Sequence, residues 1–218
     1  MQKEQNISIS VIKRLPRYYR FLGELKNNGI SRISSKELSA KMGLTASQIR
    51  QDFNCFCGFG HQGYGYNVDN LYNEIGEILG LESDNKTVLL GAGNLGRAVA
   101  NHVFLESKGF RLIGIFDRKE SLTGQLIKGI PVRHIDGLDE FCRENLPKMA
   151  IICVPPEAAR ELCPQLVKLG IEAFWNFSNY DVSLHCPGIP VENVHIGDSL
   201  MTLCYKISEA NIAKEGNL

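Results

Sequence analysis

A glycine pattern that begins just after residue 87 places the strongest constraint on how this chain can fold. The apolar run 88–90 predicts a buried strand, and Gly91, Gly93 and Gly96 follow it with the spacing GxGxxG. In dinucleotide-binding folds the first glycine permits a tight turn and the second lets the backbone approach a pyrophosphate. The third allows the next helix to pack closely on the strand. That helix would aim its free N–H groups at the phosphates, so we expect a nucleotide-binding loop here.

A second apolar strand, 111–117, ends in an acid at a suitable distance from this loop. Asp117 lies 21 residues after Gly96, where a carboxylate accepts hydrogen bonds from the adenosine ribose hydroxyls. Together the strand, glycines, helix, second strand and acid predict a dinucleotide site. The alternative is a doubly wound sheet that does not bind this ligand.

Strand and helix patterns alternate after Asp117 with short connections, which predicts an α/β fold with a Rossmann-like, doubly wound parallel sheet. Its ligand crevice would lie at the carboxyl ends of the strands, near Val154, Pro155 and Asn176. Asn176 could instead be a satisfied turn residue. The predicted nucleotide-binding residues are Gly91, Ala92, Gly93, Asn94, Leu95, Gly96, His102, Asp117, Arg118, Val154, Pro155 and Asn176.

The charges are unevenly distributed although the net charge is zero. Residues 1–66 carry 10 Lys and Arg against 4 Asp and Glu, whereas residues 67–218 carry 14 against 20. A basic N-terminal part on an acidic body suggests two modules with different partners, and the basic module is a candidate for binding nucleic acid. The alternative is a basic face that is merely solvated.

Two helix-start signals lie close together in the basic part. Ser34–Glu37 and Thr45–Gln48 both have the pattern of a capping box, and Gly43 between them predicts a turn. This spacing predicts a helix-turn-helix motif. On its second helix, Ile49 and Phe53 would face inward, which leaves polar side chains suited to base edges and phosphates on the outside. The alternative is an ordinary solvated helix.

Glycines alternate with aromatic residues over 55–66, which predicts a β-hairpin that serves as a wing. The alternative is a hairpin whose aromatic side chains only pack on the core. The predicted DNA-binding residues are Arg14, Arg17, Lys36, Ser47, Gln48, Arg50, Gln51, His61, Gln62 and Tyr64.

The last segment places Leu200, Leu203, Cys204 and Ile207 on one helical stripe, with Asp198 as its cap. This stripe could pack on its own sheet or on a partner subunit. We therefore expect three parts. Residues 1–82 form a winged-helix domain (helix-turn-helix within about 17–56), residues 83–197 a Rossmann domain, and residues 198–218 a dimerisation helix.

The seven cysteines are scattered and form no CxxC pair, so we expect free thiols and no metal site. The N-terminus has no apolar signal-peptide core, and no apolar run approaches the length of a membrane helix. We therefore expect a cytoplasmic protein that does not contact membranes.

Several strings give the chain a resemblance to the Rex family of redox-sensing transcriptional repressors. They are Lys13–Arg20, Ile33–Leu38, Gln48–Phe53, Gly63–Val68, the Gly91–Gly96 loop and Val154–Pro156. The resemblance implies a homodimer with a C-terminal helix swapped between subunits. It also implies that the protein binds operator DNA, expected to be palindromic, and leaves it when NADH binds, so that it senses the NADH/NAD+ ratio.

Three residues near the predicted nucleotide site differ from common family forms. His102 stands where relatives often have an aromatic residue near the nicotinamide, although it could be an ordinary exposed helix residue. Arg118 and Lys119 directly follow Asp117, so the exclusion of NADP(H) that the acid implies is left open.

The alternative function is an NAD-dependent dehydrogenase with an N-terminal appendage. Such an enzyme needs a substrate domain and a general acid or base at the site of hydride transfer. Only residues 198–218 follow the predicted cofactor fold, and the five histidines form no obvious His–Asp pair by motif. The sequence therefore favours a sensor without catalytic residues.

Overall fold

The structure, a computed structural model, describes residues 7–56, 65–106 and 109–215, with the backbone alone for 102–106 and 213–215. The chain divides into two compact units, Met1–Ser83 and Asp84–Leu218. Among the described residues, no helix combines the length and the apolar character needed to cross a membrane.

The first unit is mainly helical. Its described elements are α1 (Ile9–Ile12), α2 (Leu15–Asn27), β1 (Arg32–Ile33), α3 (Ser35–Met42), α4 (Ala46–Asn54), β2 (Tyr66–Asn67) and α5 (Val68–Ile78). Pro16 lies in the first turn of α2, where its missing N–H leaves no helical hydrogen bond unmade. This explains why a new helix begins at Leu15.

Helices α3 and α4 form the predicted helix-turn-helix. Ser34 and Glu37 form a reciprocal capping box at the start of α3, and Gly43 ends that helix in the left-handed conformation at φ 61°. At the start of α4 only half of the predicted box forms. The Thr45 hydroxyl accepts from the Gln48 N–H, but the Gln48 side chain donates to Asp52 instead of returning to the helix start.

Residues 57–64 of the predicted wing, which include His61, Gln62 and Tyr64, lie outside the described residues. Strand β2, which follows these residues, is described, and it pairs antiparallel with β1 in the register Asn67 with Arg32 and Tyr66 with Ile33. Phe53 of α4 packs against Tyr66 with ring centroids 5.0 Å apart. The core of this unit therefore ties the recognition helix to the strand that follows residues 57–64.

The second unit is built on one seven-stranded sheet. Its strands are β3 (Asn85–Leu90), β4 (Phe110–Asp117), β5 (Leu126–Ile127), β6 (Ile130–His134), β7 (Met149–Ile152), β8 (Ala173–Asn176) and β9 (Val191–Asn193). Their order is β5-β6-β4-β3-β7-β8-β9, with every pair parallel except β5 with β6. From β6 to β9 this is the doubly wound order 3-2-1-4-5-6, which confirms the predicted fold.

Helices cover both faces of this sheet. They are α6 (Asn94–Glu106), α7 (Leu138–Asn145), α8 (Pro156–Lys168) and the short α9 (Val182–His185), and a further helix, α10 (Ile196–Glu215), follows β9. Buried residues of α7 and α8 pack with Phe116 and Phe174 on one face, and α6 packs with Leu89 and Ile115 on the other. The strand order reverses between β3 and β7, which is the position where ligands bind in such sheets.

Helix α10 differs from the other helices because all of its side chains that the structure describes are exposed. The predicted stripe is among them, with Leu200 63%, Leu203 51% and Ile207 54% exposed. The alternative that this helix packs on its own sheet is therefore wrong. Asp198 is not the cap either, because the helix begins two residues earlier and Asp198 lies in its first turn.

Candidate functional site

The glycine loop lies at the point where the strand order reverses. Gly91 directly follows β3 with φ +97°, and a Cβ there would lie 2.5 Å from the Cys153 carbonyl oxygen. A Cβ on Gly96 would lie 1.9 Å from the Gly91 carbonyl oxygen. The chain itself therefore requires glycine at both positions, because the loop, the next helix and strand β7 approach too closely for a side chain.

Gly93 differs from these two glycines, because no close contact with a described atom requires glycine there. It is exposed, and no described atom lies within 4 Å of the position its Cβ would take. The Gly93 carbonyl accepts the hydrogen bond from Arg97 N–H at 2.9 Å, which opens α6. The N–H groups of residues 93–96 therefore have no partners within the helix, and the positive end of its dipole points the same way. This arrangement fits a pyrophosphate.

Asp117 is the last residue of β4, and its carboxylate is tied to the glycine loop. One oxygen accepts from the Ala92 N–H at 2.7 Å, and the other accepts from the Lys119 N–H at 2.8 Å. Each oxygen keeps a further lone pair, so the group can still accept a ribose hydroxyl. Ala92 is buried with its N–H engaged by Asp117, so this predicted residue orders the loop, whereas Leu95 packs its side chain against the core and turns its backbone N–H toward the start of α6.

Arg97 is a site residue that the sequence did not reveal. Its Nε donates to the Ala92 carbonyl at 3.0 Å, and its Nη2 donates to Gln125 Oε1 at 2.5 Å. These bonds join the glycine loop to Arg97 of α6 and, through it, to Gln125. The signal was a single arginine in the second turn of a predicted helix, which is too common to stand out.

A cavity of about 240 Å³ lies between the ends of β3, β4 and β7. It brings together six of the predicted residues, Gly91, Gly93, Asp117, Arg118, Val154 and Pro155. Lys119 and Cys153, which were not among the predicted site residues, also line it. Burial raises the pKa of the Cys153 thiol to about 12, so this group is neutral near pH 7 and adds no negative charge.

Asn176 is a predicted nucleotide contact, but its side chain forms hydrogen bonds within the protein. It is fully buried, and its Nδ2 donates to the Tyr180 carbonyl and to Asn193 Oδ1, both at 2.8 Å. Its Oδ1 accepts from the Ser178 N–H and hydroxyl. The amide is thus fully occupied in ordering the loop after β8. The side chain of His102, on α6, lies outside the described part of the structure.

The exposed face of α4 carries three of the predicted DNA-binding side chains, Ser47, Arg50 and Gln51. Arg50 Nη1 donates to the Ser35 hydroxyl at 3.2 Å, which steadies the guanidinium near the start of α3. Lys36 is also exposed on α3, and Arg17 on α2 donates to the carbonyl of Met42. These groups belong to helices α2 to α4 of one unit.

In contrast, the side chains of Arg14 and Gln48 form hydrogen bonds within this unit. Arg14 forms a bidentate pair with Asp52, with two N–H···O distances of 2.7 Å. Asp52 also accepts from Gln48 Nε2 at 2.9 Å and from the Tyr18 hydroxyl at 2.8 Å. The Arg14 Nε and Nη2 groups and a Gln48 amide N–H are thus engaged by a carboxylate that is 1% exposed, and the contact of these two side chains with DNA stays a prediction.

The electrostatics of this cluster follow from burial and hydrogen bonding. Burial by itself raises the pKa of Asp52, but the hydrogen bonds from Arg14, Gln48 and Tyr18 outweigh it and leave the pKa below its ordinary value. Burial and the neighbouring carboxylate raise the pKa of Tyr18, so its hydroxyl stays a donor. Asp52 was not among the predicted functional residues, although an acid next to the inward-facing Phe53 of α4 was a usable signal.

Metal ligands show no comparable grouping. Among the described residues, no three His, Cys, Asp or Glu side chains lie together in a way that could hold a metal ion.

Comparison with known proteins relates both units to characterised families. Residues 6–54 match the family described as putative DNA-binding protein N-terminus, and residues 82–180 match the family described as CoA binding domain. The redox-sensing transcriptional repressor Rex of Clostridium perfringens is 50% identical over 212 residues, which cover 97% of this chain and 100% of that protein.

Solved structures show the same likeness over nearly the whole chain. A crystal structure of RSP, a Rex-family repressor, in complex with β-NAD+ and operator DNA is 47% identical, with a TM-score of 0.86 and 96% of each chain covered. A second, of RSP in complex with β-NADH, is 44% identical, with a TM-score of 0.86 over 96% of this chain and 98% of that one.

Proposed function

The chain belongs to the Rex family of redox-sensing transcriptional repressors, and on that premise we propose that it binds palindromic operator DNA and releases it when NADH binds. One observation carries the proposal. A single chain combines a helix-turn-helix with an exposed polar recognition face and a doubly wound sheet whose glycine loop is open at the strand reversal. The proposed role is that of a sensor in the cytoplasm that binds nucleotide and DNA and catalyses no reaction.

We assign the DNA contacts of the described residues to two groups. Ser47, Arg50 and Gln51 on α4 are placed to contact base edges in a major groove, where Arg pairs with guanine and Gln with adenine. Lys36 and Arg17 are placed to contact phosphates, which position the domain without specifying sequence. His61, Gln62 and Tyr64 remain predicted wing contacts.

We assign the nucleotide contacts from the same geometry. The free N–H groups of residues 93–96 would hold the pyrophosphate, and Asp117 would accept the adenosine ribose hydroxyls. When bound, the nucleotide supplies a nicotinamide ring that is neutral in NADH and cationic in NAD+, so redox state becomes a difference in charge. Val154 and Pro155 offer that nucleotide apolar surface, and an uncompensated cation is costly in such surroundings.

The two sites would communicate through a coupling free energy. If NADH weakens operator binding tenfold, the coupling is about 1.4 kcal/mol, and the operator must weaken NADH binding by the same factor. This reciprocity separates a sensor from an enzyme, because only the sensor links nucleotide affinity to DNA concentration.

We propose that the active form is a homodimer joined through α10. Besides the predicted stripe, Met201, Tyr205 and Ile212 are exposed on a second side of this helix. The sheet of the second unit carries a largely apolar cavity of about 470 Å³ lined in part by Met149, Ile151 and Trp175. Surfaces of this kind are stabilised by mutual burial, and the partner's α10 is the occupant we propose.

Substitution of Gly93 by Ala tests the proposed nucleotide site. The new methyl group meets no described atom, so the variant should fold normally, yet it would stand where the pyrophosphate approaches the backbone. We expect NADH to bind at least about tenfold more weakly, a loss of about 1.4 kcal/mol, and to release operator DNA poorly in a gel-shift titration.

Gly137→Ala is the matched control, because its added Cβ also meets no described atom and the position lies outside the glycine loop. This control should respond to NADH as the wild type does. A Gly93→Ala protein that still leaves the operator at wild-type NADH concentrations would show that the site is wrongly placed.

A further inference from the structure

Two cations stand at the adenosine end of the nucleotide cavity. Arg118 and Lys119 follow directly after β4, both line the cavity, and both are exposed. Within the described parts of the chain, neither forms an ion pair within 4.0 Å, whereas Arg111 on the same strand pairs with Asp84 at 2.7 Å. Arg118 and Lys119 thus carry charge toward the cavity without a protein counter-ion.

The acid beside them is already engaged by two donors. Asp117 accepts from the N–H groups of Ala92 and Lys119, which hold its carboxylate against the loop and partly offset its charge. In doubly wound folds an acid at this position hydrogen-bonds the ribose 2′-hydroxyl, whereas a nearby Arg accommodates a 2′-phosphate. This chain places both features in adjacent residues.

The turn that carries the cations is also held in place. His134, paired with Asp117 in the β4–β6 register, has its Nε2 3.1 Å from the Arg118 carbonyl oxygen. Its Nδ1 lies 3.1 Å from Asp136 Oδ2, and Glu120 lies 3.8 Å from Nε2. The acids nearest the turn are thus directed at the imidazole, and the charges that line the cavity are one carboxylate and two cations.

We propose that this site accepts adenosine nucleotides that carry a 2′-phosphate, so that NADPH as well as NADH binds and releases the operator. The inference rests on the proposed function and extends it to a second effector. Arg118 and Lys119 are the residues that determine this specificity, because each can form a charge-assisted hydrogen bond to the phosphate. Asp117 keeps lone pairs for the 2′-hydroxyl of NADH. The site therefore binds NADPH without losing its ability to bind NADH.

Direct binding measurements test this on the full chain. We expect the wild type to bind NADPH within about tenfold of its affinity for NADH, and Arg118→Ala/Lys119→Ala to widen that gap to about 100-fold or more because NADPH affinity falls by more than NADH affinity. Alanine keeps the Lys119 N–H that Asp117 accepts, so the double variant removes charge without removing that bond. The same preference should appear when adenosine 2′,5′-bisphosphate and AMP compete with NADH.

Lys168→Ala is the matched control, because it removes one exposed cation from the far end of α8, about 18 Å along the helix from Pro156 beside the cavity. It should leave both affinities unchanged. Wild-type protein that binds NADH but rejects NADPH by more than about 100-fold would overturn the inference and leave the proposed function intact. Equal NADPH affinity in wild type and double variant would also overturn it, and failure to bind either nucleotide would overturn the proposed function itself.

Discussion

At the scale of single residues, Asp52 shows how a buried charge is made tolerable in the recognition helix. Its two oxygens accept four hydrogen bonds, two of them from Arg14, and no side-chain polar atom that the structure describes as buried is left without a partner. Removing one partner of such a cluster leaves the others desolvated and unpaired, which is costly. The cluster joins α2 to α4, so it holds the recognition helix in place.

We predict that Asp52→Asn destabilises the first unit by about 2–3 kcal/mol at pH 7, less than a fully buried pair would lose because Arg14 is partly exposed. The pKa of Asp52 is lowered in the folded state, so its contribution is complete above the unfolded pKa of about 3.9 and is lost as the pH falls through the folded value. Urea denaturation at pH 7 and at about pH 3 should therefore show a smaller loss of stability on acidification in the variant than in the wild type.

Asp69→Asn serves as the comparison, since the Asp69 pair with Lys26 lies at the surface. An exposed pair contributes about 0–1 kcal/mol. Equal destabilisation by the two substitutions would mean that the Asp52 cluster does not hold the helices together.

At the scale of elements, helix α4 separates a face that maintains the fold from a face that is free to bind. Ile49, Asp52 and Phe53 are buried, while Ser47, Arg50 and Gln51 are exposed. Arg50 can exchange its hydrogen bond to the Ser35 hydroxyl for one to a base edge. No buried group is then left unpaired, because both residues lie near solvent. The exposed face is therefore the part of α4 that we propose for sequence-specific binding.

Substitution of Arg50 by Ala should weaken binding to the operator by about 1–3 kcal/mol and reduce the preference over unrelated DNA, as expected for a lost bidentate contact to guanine. Fluorescence anisotropy with operator and scrambled duplexes at one salt concentration measures both effects. Lys26→Ala on α2 removes an exposed cation that is paired with Asp69, and it should leave specificity unchanged. Operator preference that survives Arg50→Ala would count against this assignment of the recognition face.

At the scale of the whole molecule, the exposed apolar side chains of α10 are not explained by packing within a single chain. It is 20 residues long, and its exposed apolar side chains lie on two sides of the helix. Burying a Leu side chain that is otherwise exposed contributes about 1.5–3 kcal/mol, so pairing of two copies through this helix would bring substantial stability.

We predict that Leu203→Glu converts the dimer into monomers or aggregates and lowers operator affinity, because a palindrome is bound by two recognition helices at once. Sedimentation velocity and a gel shift on the same samples provide the two readouts. Lys206→Glu introduces the same acid on a polar position of α10 and should remain dimeric. A Leu203→Glu protein that sediments as the wild type does would remove α10 from the interface.

The sequence by itself determined the elements whose signals are local. The glycine spacing, the box at Ser34, the Gly43 turn and the strand–helix alternation all depend on residues a few positions apart, and each matches an element of the structure. Such signals act through backbone conformation and short-range hydrogen bonds, which are the same in any tertiary context. The fold class and the position of the glycine loop were therefore predictable.

Only the tertiary structure decided which polar side chains are free to bind. Arg14 meets Asp52 across 38 residues, Ala92 meets Asp117 across 25, and Asn176 meets Asn193 across 17. A buried donor or acceptor must find a partner, and the identity of that partner depends on how elements distant in the chain pack together. That is why the sequence did not show that Arg14 and Asn176 form hydrogen bonds that order the fold, while Gly93 and Arg118 remain available to a ligand.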